Sequence, residues 1–210
     1  MASKRSAMVA LVGVAMLLGG LGARGAPAAA QEPPAPVPRP DLALTAEDLP
    51  AGYQEVAPID VTFGGVAVQD RALRPIVPGL APIWIWTVTF QVGVPVTDER
   101  IGRWGDELAR RLSRDFGPSL DRSVGAPVLL RDWADLDLAG LGEHATMYRF
   151  RYQQLDDNGA GDGALVVFSR SDVVSVLAAL GTAGRVDADL VPLARIVDER
   201  VAGEVALARR

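Results

Sequence analysis

Residues 83–92 read Ile83-Trp84-Ile85-Trp86-Thr87-Val88-Thr89-Phe90-Gln91-Val92. Trp84, Trp86, Val88, Phe90 and Val92 alternate with Ile83, Ile85, Thr87, Thr89 and Gln91. That period of two is what a β-strand imposes on its side chains. One set is wholly apolar and the other mixed, the pattern of an antiparallel sheet packed on its better face.

Downstream, Thr97 is a good helix N-cap, and Asp98 and Glu99 sit in the first turn where the helix dipole favours acids. Ile101, Trp104, Leu108, Leu112 and Phe116 follow at helical spacing, and Gly117-Pro118 reads as a stop, which predicts a helix over about 97–117. Its outer face carries Arg100, Arg103, Arg110, Arg111 and Arg114 beside Asp98, Glu99, Asp106, Glu107 and Asp115, a self-compensating solvated surface. A shorter apolar segment with Val128, Leu129 and Leu130 comes next. His144, Thr146, Tyr148, Phe150 and Tyr152 then alternate with Ala145, Met147, Arg149, Arg151 and Gln153. Residues 164–168 and 173–180 read as two strands joined by a tight hairpin at Ser171-Asp172. A last helix, about 188–203, buries Leu190, Leu193, Ala194, Val197 and Val201, takes Pro192 in its first turn and ends at Gly203.

Upstream, Thr45-Ala46-Glu47-Asp48 is a capping pattern closed by Leu49-Pro50-Ala51-Gly52. Ile59, Val61 and Phe63 mark a strand that Gly64-Gly65 interrupts as a bulge or hairpin turn. Prolines 75, 78 and 82 mark a loop. The predicted fold class is α+β: an antiparallel β-sheet packed with two amphipathic helices in an α/β sandwich, forming one domain over 41–203 with a frayed tail at 204–210.

Composition bounds the chemistry. The 210 residues are 49% hydrophobic and 22% charged, with no cysteine and a single histidine, His144. Disulfides, thiol catalysis, Cys-ligated zinc and iron–sulfur clusters are excluded, and no cofactor is expected.

Residues 1–30 read as a secretory signal. Lys4 and Arg5 lie in the n-region, an apolar run spans Met8 to Leu21, and Ala28-Ala29-Ala30 offers an A-x-A site before Gln31. The apolar run falls short of the roughly 20 residues that span a bilayer. An uncleaved anchor is the competing reading. Residues 31–40, QEPPAPVPRP, read as a Pro-rich, semi-rigid linker. Loss of Lys4, Arg5 and Arg24 takes the formal charge from −5 to −8. That balance argues against nucleic acid and against electrostatic binding to anionic membranes. The expected location is secreted or extracytoplasmic, with no membrane span after cleavage.

Three segments carry a family resemblance: Leu44-Thr45-Ala46-Glu47-Asp48-Leu49-Pro50-Ala51-Gly52-Tyr53, Val173-Val174-Ser175-Val176, and Leu193-Ala194-Arg195-Ile196-Val197-Asp198-Glu199-Arg200. Together they resemble secreted proteins and lipoproteins of high-GC bacteria, uncharacterised in role. Some of these are similar to the PsbP-like α/β sandwich. The resemblance implies an extracytoplasmic domain and carries no catalytic residue onto this chain. The lipobox cysteine of the lipoprotein members is missing here.

No set of residues names a reaction. His144 has neither a nucleophile elbow nor a metal-site partner in sequence, and reads as structural. Asp156, Asn158 and Asp162 lie in a Gly-rich, oxygen-rich turn that partly matches a calcium loop, against the simpler reading of a solvated turn. Trp84, Trp86, Trp104, Tyr148, Phe150 and Tyr152 can line an apolar pocket or a sugar platform, against plain core packing. Trp133, among Arg131, Asp132 and Asp135 in an irregular stretch, is the indole most expected to be exposed. Asp132, Asp135 and Asp137 are too close together on a loop to assign as an acid–base pair. The expectation is a non-catalytic domain at the bacterial cell envelope that binds a small ligand or an envelope protein, with Trp133, Trp84, Trp86 and Tyr148 as candidate ligand contacts. The alternative is an extracytoplasmic carboxylate-dependent hydrolase.

Overall fold

The structure, a computed structural model, describes residues 35–58, 62–63, 66–67, 69–124, 128–136, 138, 140–154, 160–181 and 184–208. All of them fall within one compact unit, Pro33–Arg210. Residues 1–30, expected from the sequence to be a secretory signal, lie outside the described residues.

The strands are β1 (Val37–Pro38), β2 (Tyr53–Val56), β3 (Thr62–Phe63), β4 (Val66–Ala67), β5 (Asp70–Pro75), β6 (Trp84–Gln91), β7 (Val128–Leu136), β8 (His144–Gln154), β9 (Ala160–Arg170) and β10 (Val173–Gly181). Helix α1 is Asp98–Val124 and α2 is Val186–Ala208, and a 3-10 turn occupies Ala46–Asp48. Eight strands make one antiparallel sheet in the order β2-β5-β6-β10-β9-β8-β7, with β1 also pairing to β6. β3 and β4 pair antiparallel in a separate two-stranded sheet; Gly64-Gly65, read as a bulge or a hairpin turn, lie outside the described residues.

The sheet is apolar on both faces, which corrects the expectation of one packed face. Trp84, Trp86, Val88 and Phe90 of β6 join Val174, Val176 and Ala178 of β10, Leu165 and Val167 of β9 and Tyr148, Phe150 and Tyr152 of β8. Ile101, Leu108, Ala109 and Leu112 of α1 close over that side. On the other side, Ile85, Leu177, Ala179, Val166 and Phe168 meet Val186, Leu190, Ala194, Val197 and Val201 of α2, together with Leu42, Leu44 and Leu49. Thr87 and Thr89 are therefore buried, and Thr89 Oγ1 pairs with Ser175 Oγ across the β6–β10 seam at 3.1 Å. Each fully buried Leu or Val contributes about 1.5–3 kcal/mol.

Four boundaries differ from the sequence reading. Helix α1 continues through Gly117-Pro118 to Val124; an interior proline costs one backbone bond, which the flanking turns of a 27-residue helix carry. Helix α2 begins at Val186 and continues through Gly203 to Ala208, placing Pro192 in its second turn. Residues 204–208, expected to be frayed, are helical, and Arg39 Nη2 donates to Glu204 Oε1 at 3.0 Å. The end of the Pro-rich linker belongs to the sheet: Val37 and Pro38 pair with Gln91 and Phe90, and Arg39 N donates to Thr89 O at 2.8 Å. Residues 128–136, expected to become irregular, stay in β7.

Candidate functional site

The site starts from a defect in β7. Arg131 pairs with Arg151 of β8, but the next pair is Ala134 with Arg149, so Asp132 and Trp133 together face Phe150. This is a β-bulge, and it reverses side-chain parity along the strand. Val128 and Leu130 face α1, as Trp133 and Asp135 do beyond the bulge. Leu136 packs on the α2 side. Asp132 takes the left-handed conformation at φ 57°, which an aspartate tolerates better than most residues.

The re-aimed Trp133 indole lies on Phe150, ring centroids 4.3 Å apart and planes inclined by 30°. Phe150 in turn pairs in register with Gly163 of β9, where a β-carbon would run into its ring. Gly105 does the same for α1: a β-carbon there would meet the Thr146 methyl and the Tyr148 ring at 2.7 Å. Two glycines thus let the helix, the phenylalanine and the sheet approach closely.

Between α1 and the β7–β8 end of the sheet opens a cleft of about 360 Å³ lined by Asp106, Ala109, Arg110, Trp133, Asp135 and Tyr148. Tyr148 OH donates to Asp106 Oδ1 at 2.8 Å, and Arg110 Nε donates to the Asp106 carbonyl at 3.1 Å. Burial pushes the Tyr148 hydroxyl up to about 12, against a smaller opposite pull from Thr146; the bond to Asp106 and the charge of Asp135 push the same way as burial. Trp133 Nε1 is enclosed and has no acceptor among the described residues.

Of the four predicted ligand contacts, Trp133 and Tyr148 come together here. Trp84 and Trp86 do not line the cleft. Both are fully buried, and Trp86 Nε1 donates to the buried Asp70 Oδ2 at 2.6 Å. Asp135, expected on a loop, is on a strand opposite Tyr148. Sequence reasoning missed Asp106, Ala109 and Arg110 by assigning the first and last to a solvated surface. The available signal was the pair of small residues, Gly105 and Ala109, on the buried side of the helix.

The remaining candidates have local roles. His144 Nδ1 lies 2.6 Å from Asp98 Oδ1, pinning the first turn of α1 to the start of β8. Asp162 is in β9 and accepts from Gly184 N at 2.5 Å. Asp156, Asn158 and Asp137 lie outside the described residues. Among the described residues no cluster of His, Cys, Asp or Glu is arranged to hold a metal, and no helix is long and apolar enough to cross a membrane. Compared with known proteins, the chain has no significant match to a family model, a curated protein or a solved structure.

Proposed function

We propose that this chain is a secreted, non-catalytic binding domain of the bacterial cell envelope, with its ligand held in the cleft between α1 and β7. The observation that carries this reading is the bulge. It spends a left-handed aspartate and an interrupted ladder to turn Trp133 onto Phe150 beside two carboxylates. Bulges that re-aim a side chain concentrate at functional sites. In this reading the domain is an α/β sandwich and its helices are amphipathic, supported by the two separate apolar clusters that α1 and α2 close.

The test is protection. A ligand in the cleft slows iodide quenching of Trp133 fluorescence, read as the difference between wild type and Trp133→Phe. A quenching difference that no extract of the host envelope changes overturns the assignment. Secretion is tested by intact mass: protein from the culture medium begins near Gln31, and a chain retaining residues 1–30 in the membrane fraction returns the anchor.

A second reading, a carboxylate-dependent hydrolase, draws on the presence of Asp106 and Asp135 in one cleft. It ranks below binding because Asp106 already accepts from Tyr148 and the lone histidine is paired with Asp98. Turnover of a glycoside or ester that Asp106→Asn or Asp135→Asn abolishes reverses that order.

A further inference from the structure

We infer that the cleft takes a neutral carbohydrate, its ring stacked on Trp133 and its hydroxyl groups bridging Asp135 and Arg110; this rests on the binding reading above. The argument is one of complementarity. Trp133 gives one indole face to Phe150, with the ring planes only 30° apart, and remains half-buried, so its opposite face is the one a ligand can cover. A flat apolar face with a few polar groups around it suits a ligand that is itself apolar on one side and polar at its edges.

The polar groups then choose among such ligands. Asp106 and Asp135 only accept hydrogen bonds when ionised, and Arg110 only donates. An anion meets two carboxylates. An organic cation meets the guanidinium of Arg110. A purely apolar ring strips water from charged groups and returns nothing to them. A sugar ring has C–H bonds for the indole face, and each hydroxyl both donates and accepts, so it satisfies carboxylate and guanidinium together. Asp106 Oδ1 is already engaged by Tyr148 OH at 2.8 Å, which leaves Asp135, exposed at the rim, as the main acceptor. The cleft volume of about 360 Å³ is at the lower end of small-ligand sites, which points to one or two sugar rings rather than a long chain.

The experiment is a titration of the full chain followed by the indole N–H resonances in a ¹⁵N-labelled sample, with Trp133 assigned from its loss in Trp133→Phe. The probes are hexoses, pentoses, N-acetylated hexosamines and their disaccharides, with aromatic amines and aromatic carboxylates as controls. The expected result is a saturable shift of the Trp133 signal with at least one saccharide, weakened about tenfold or more by Asp135→Asn. Asp135 is exposed, so that variant tests recognition without disturbing the core. If an aromatic amine or carboxylate moves Trp133 and no saccharide does, the cleft remains the binding site and the carbohydrate inference falls. If no probe moves Trp133, the inference falls, and the quenching test on envelope extract decides the cleft. If a saccharide binds with Trp133 and Asp135→Asn unaffected, the sugar site is elsewhere and the inference is overturned.

Discussion

Arg200 Nη2 donates to Asp48 Oδ1 at 2.6 Å, joining residues 152 apart in the chain. The same arginine donates through Nη1 to Ala43 O at 2.7 Å, and the second Asp48 oxygen accepts from Thr45 N at 2.7 Å and Thr45 Oγ1 at 3.0 Å. One carboxylate therefore closes the N-terminal capping box and holds it to α2. The turn before β2 and the helix α2, far apart in the chain, are bonded to each other.

Asp48→Asn is expected to lose about 2 kcal/mol at neutral pH, the worth of a charged hydrogen bond left half-made. Burial raises the Asp48 pKa, but the bonds from Thr45 and Arg200 outweigh it and hold the carboxyl below its usual range. A lowered folded-state value means that the contribution is complete above the unfolded pKa and fades as acid protonates the native carboxylate. Urea unfolding should therefore show a wild-type advantage at pH 7 that shrinks below about pH 4. An advantage that is the same at both pH values contradicts the linkage.

Asp198, buried on α2, receives Arg170 Nε and Nη2 at 2.8 Å each and Gly142 N at 3.1 Å. Breaking such a pair leaves a charge in a poor solvent. Asp198→Ala is expected to cost about 3 kcal/mol and Arg170→Ala about 2, with the double variant little worse than the worse single. Additive losses in a double-mutant cycle would show that the two residues act separately.

Asp132→Val should cost about 1–2 kcal/mol, because a β-branched residue resists φ 57°. Asp132→Gly should stay within about 0.5 kcal/mol of wild type, its relief of strain offset by the entropy of glycine. The valine variant should also move Trp133 emission, since the bulge sets its direction. Equal stability for both variants would mean that the left-handed residue is not strained.

Gly163→Ala puts a methyl against the Phe150 ring, and overpacking of this kind costs about 1–3 kcal/mol. Because Trp133 rests on Phe150, the expected signature is a fall in melting temperature together with altered Trp133 quenching. A fall in melting temperature with unchanged quenching separates the packing of Phe150 from the cleft.

Alkaline titration followed by phenolate absorbance should find one of the three tyrosines ionising near pH 12. Tyr148→Phe should abolish that phase. A folded value raised above the ordinary 10.0 means the neutral phenol is favoured in the native state, so stability is intact below pH 10 and declines as pH rises toward 12. A Tyr148 that titrates at pH 10 contradicts the enclosed bond to Asp106.

Much of this architecture is written in local order. The alternation at 83–92 and 144–153, the Ser171-Asp172 hairpin and the caps at Thr45 and Thr97 depend on nearest neighbours, so the elements they mark are where the residues put them. The apolar stripe Leu190, Ala194, Val197 and Val201 likewise marks the buried side of α2. Trp133 stood out as an indole among charges. Other features depend on partners distant in sequence. That Thr87 and Thr89 are buried follows from α2 covering a second sheet face. That Trp84 and Trp86 are core while Trp133 borders a cleft follows from their places in the strand order, β6 near the middle and β7 at the edge. The bulge is the sharpest case. Asp132 and Trp133 have the same sequence with or without it, and only the pairing of Arg131 with Arg151 and Ala134 with Arg149 decides which of them faces α1. Side-chain parity in a strand is a property of its register, and register is set by the strand alongside.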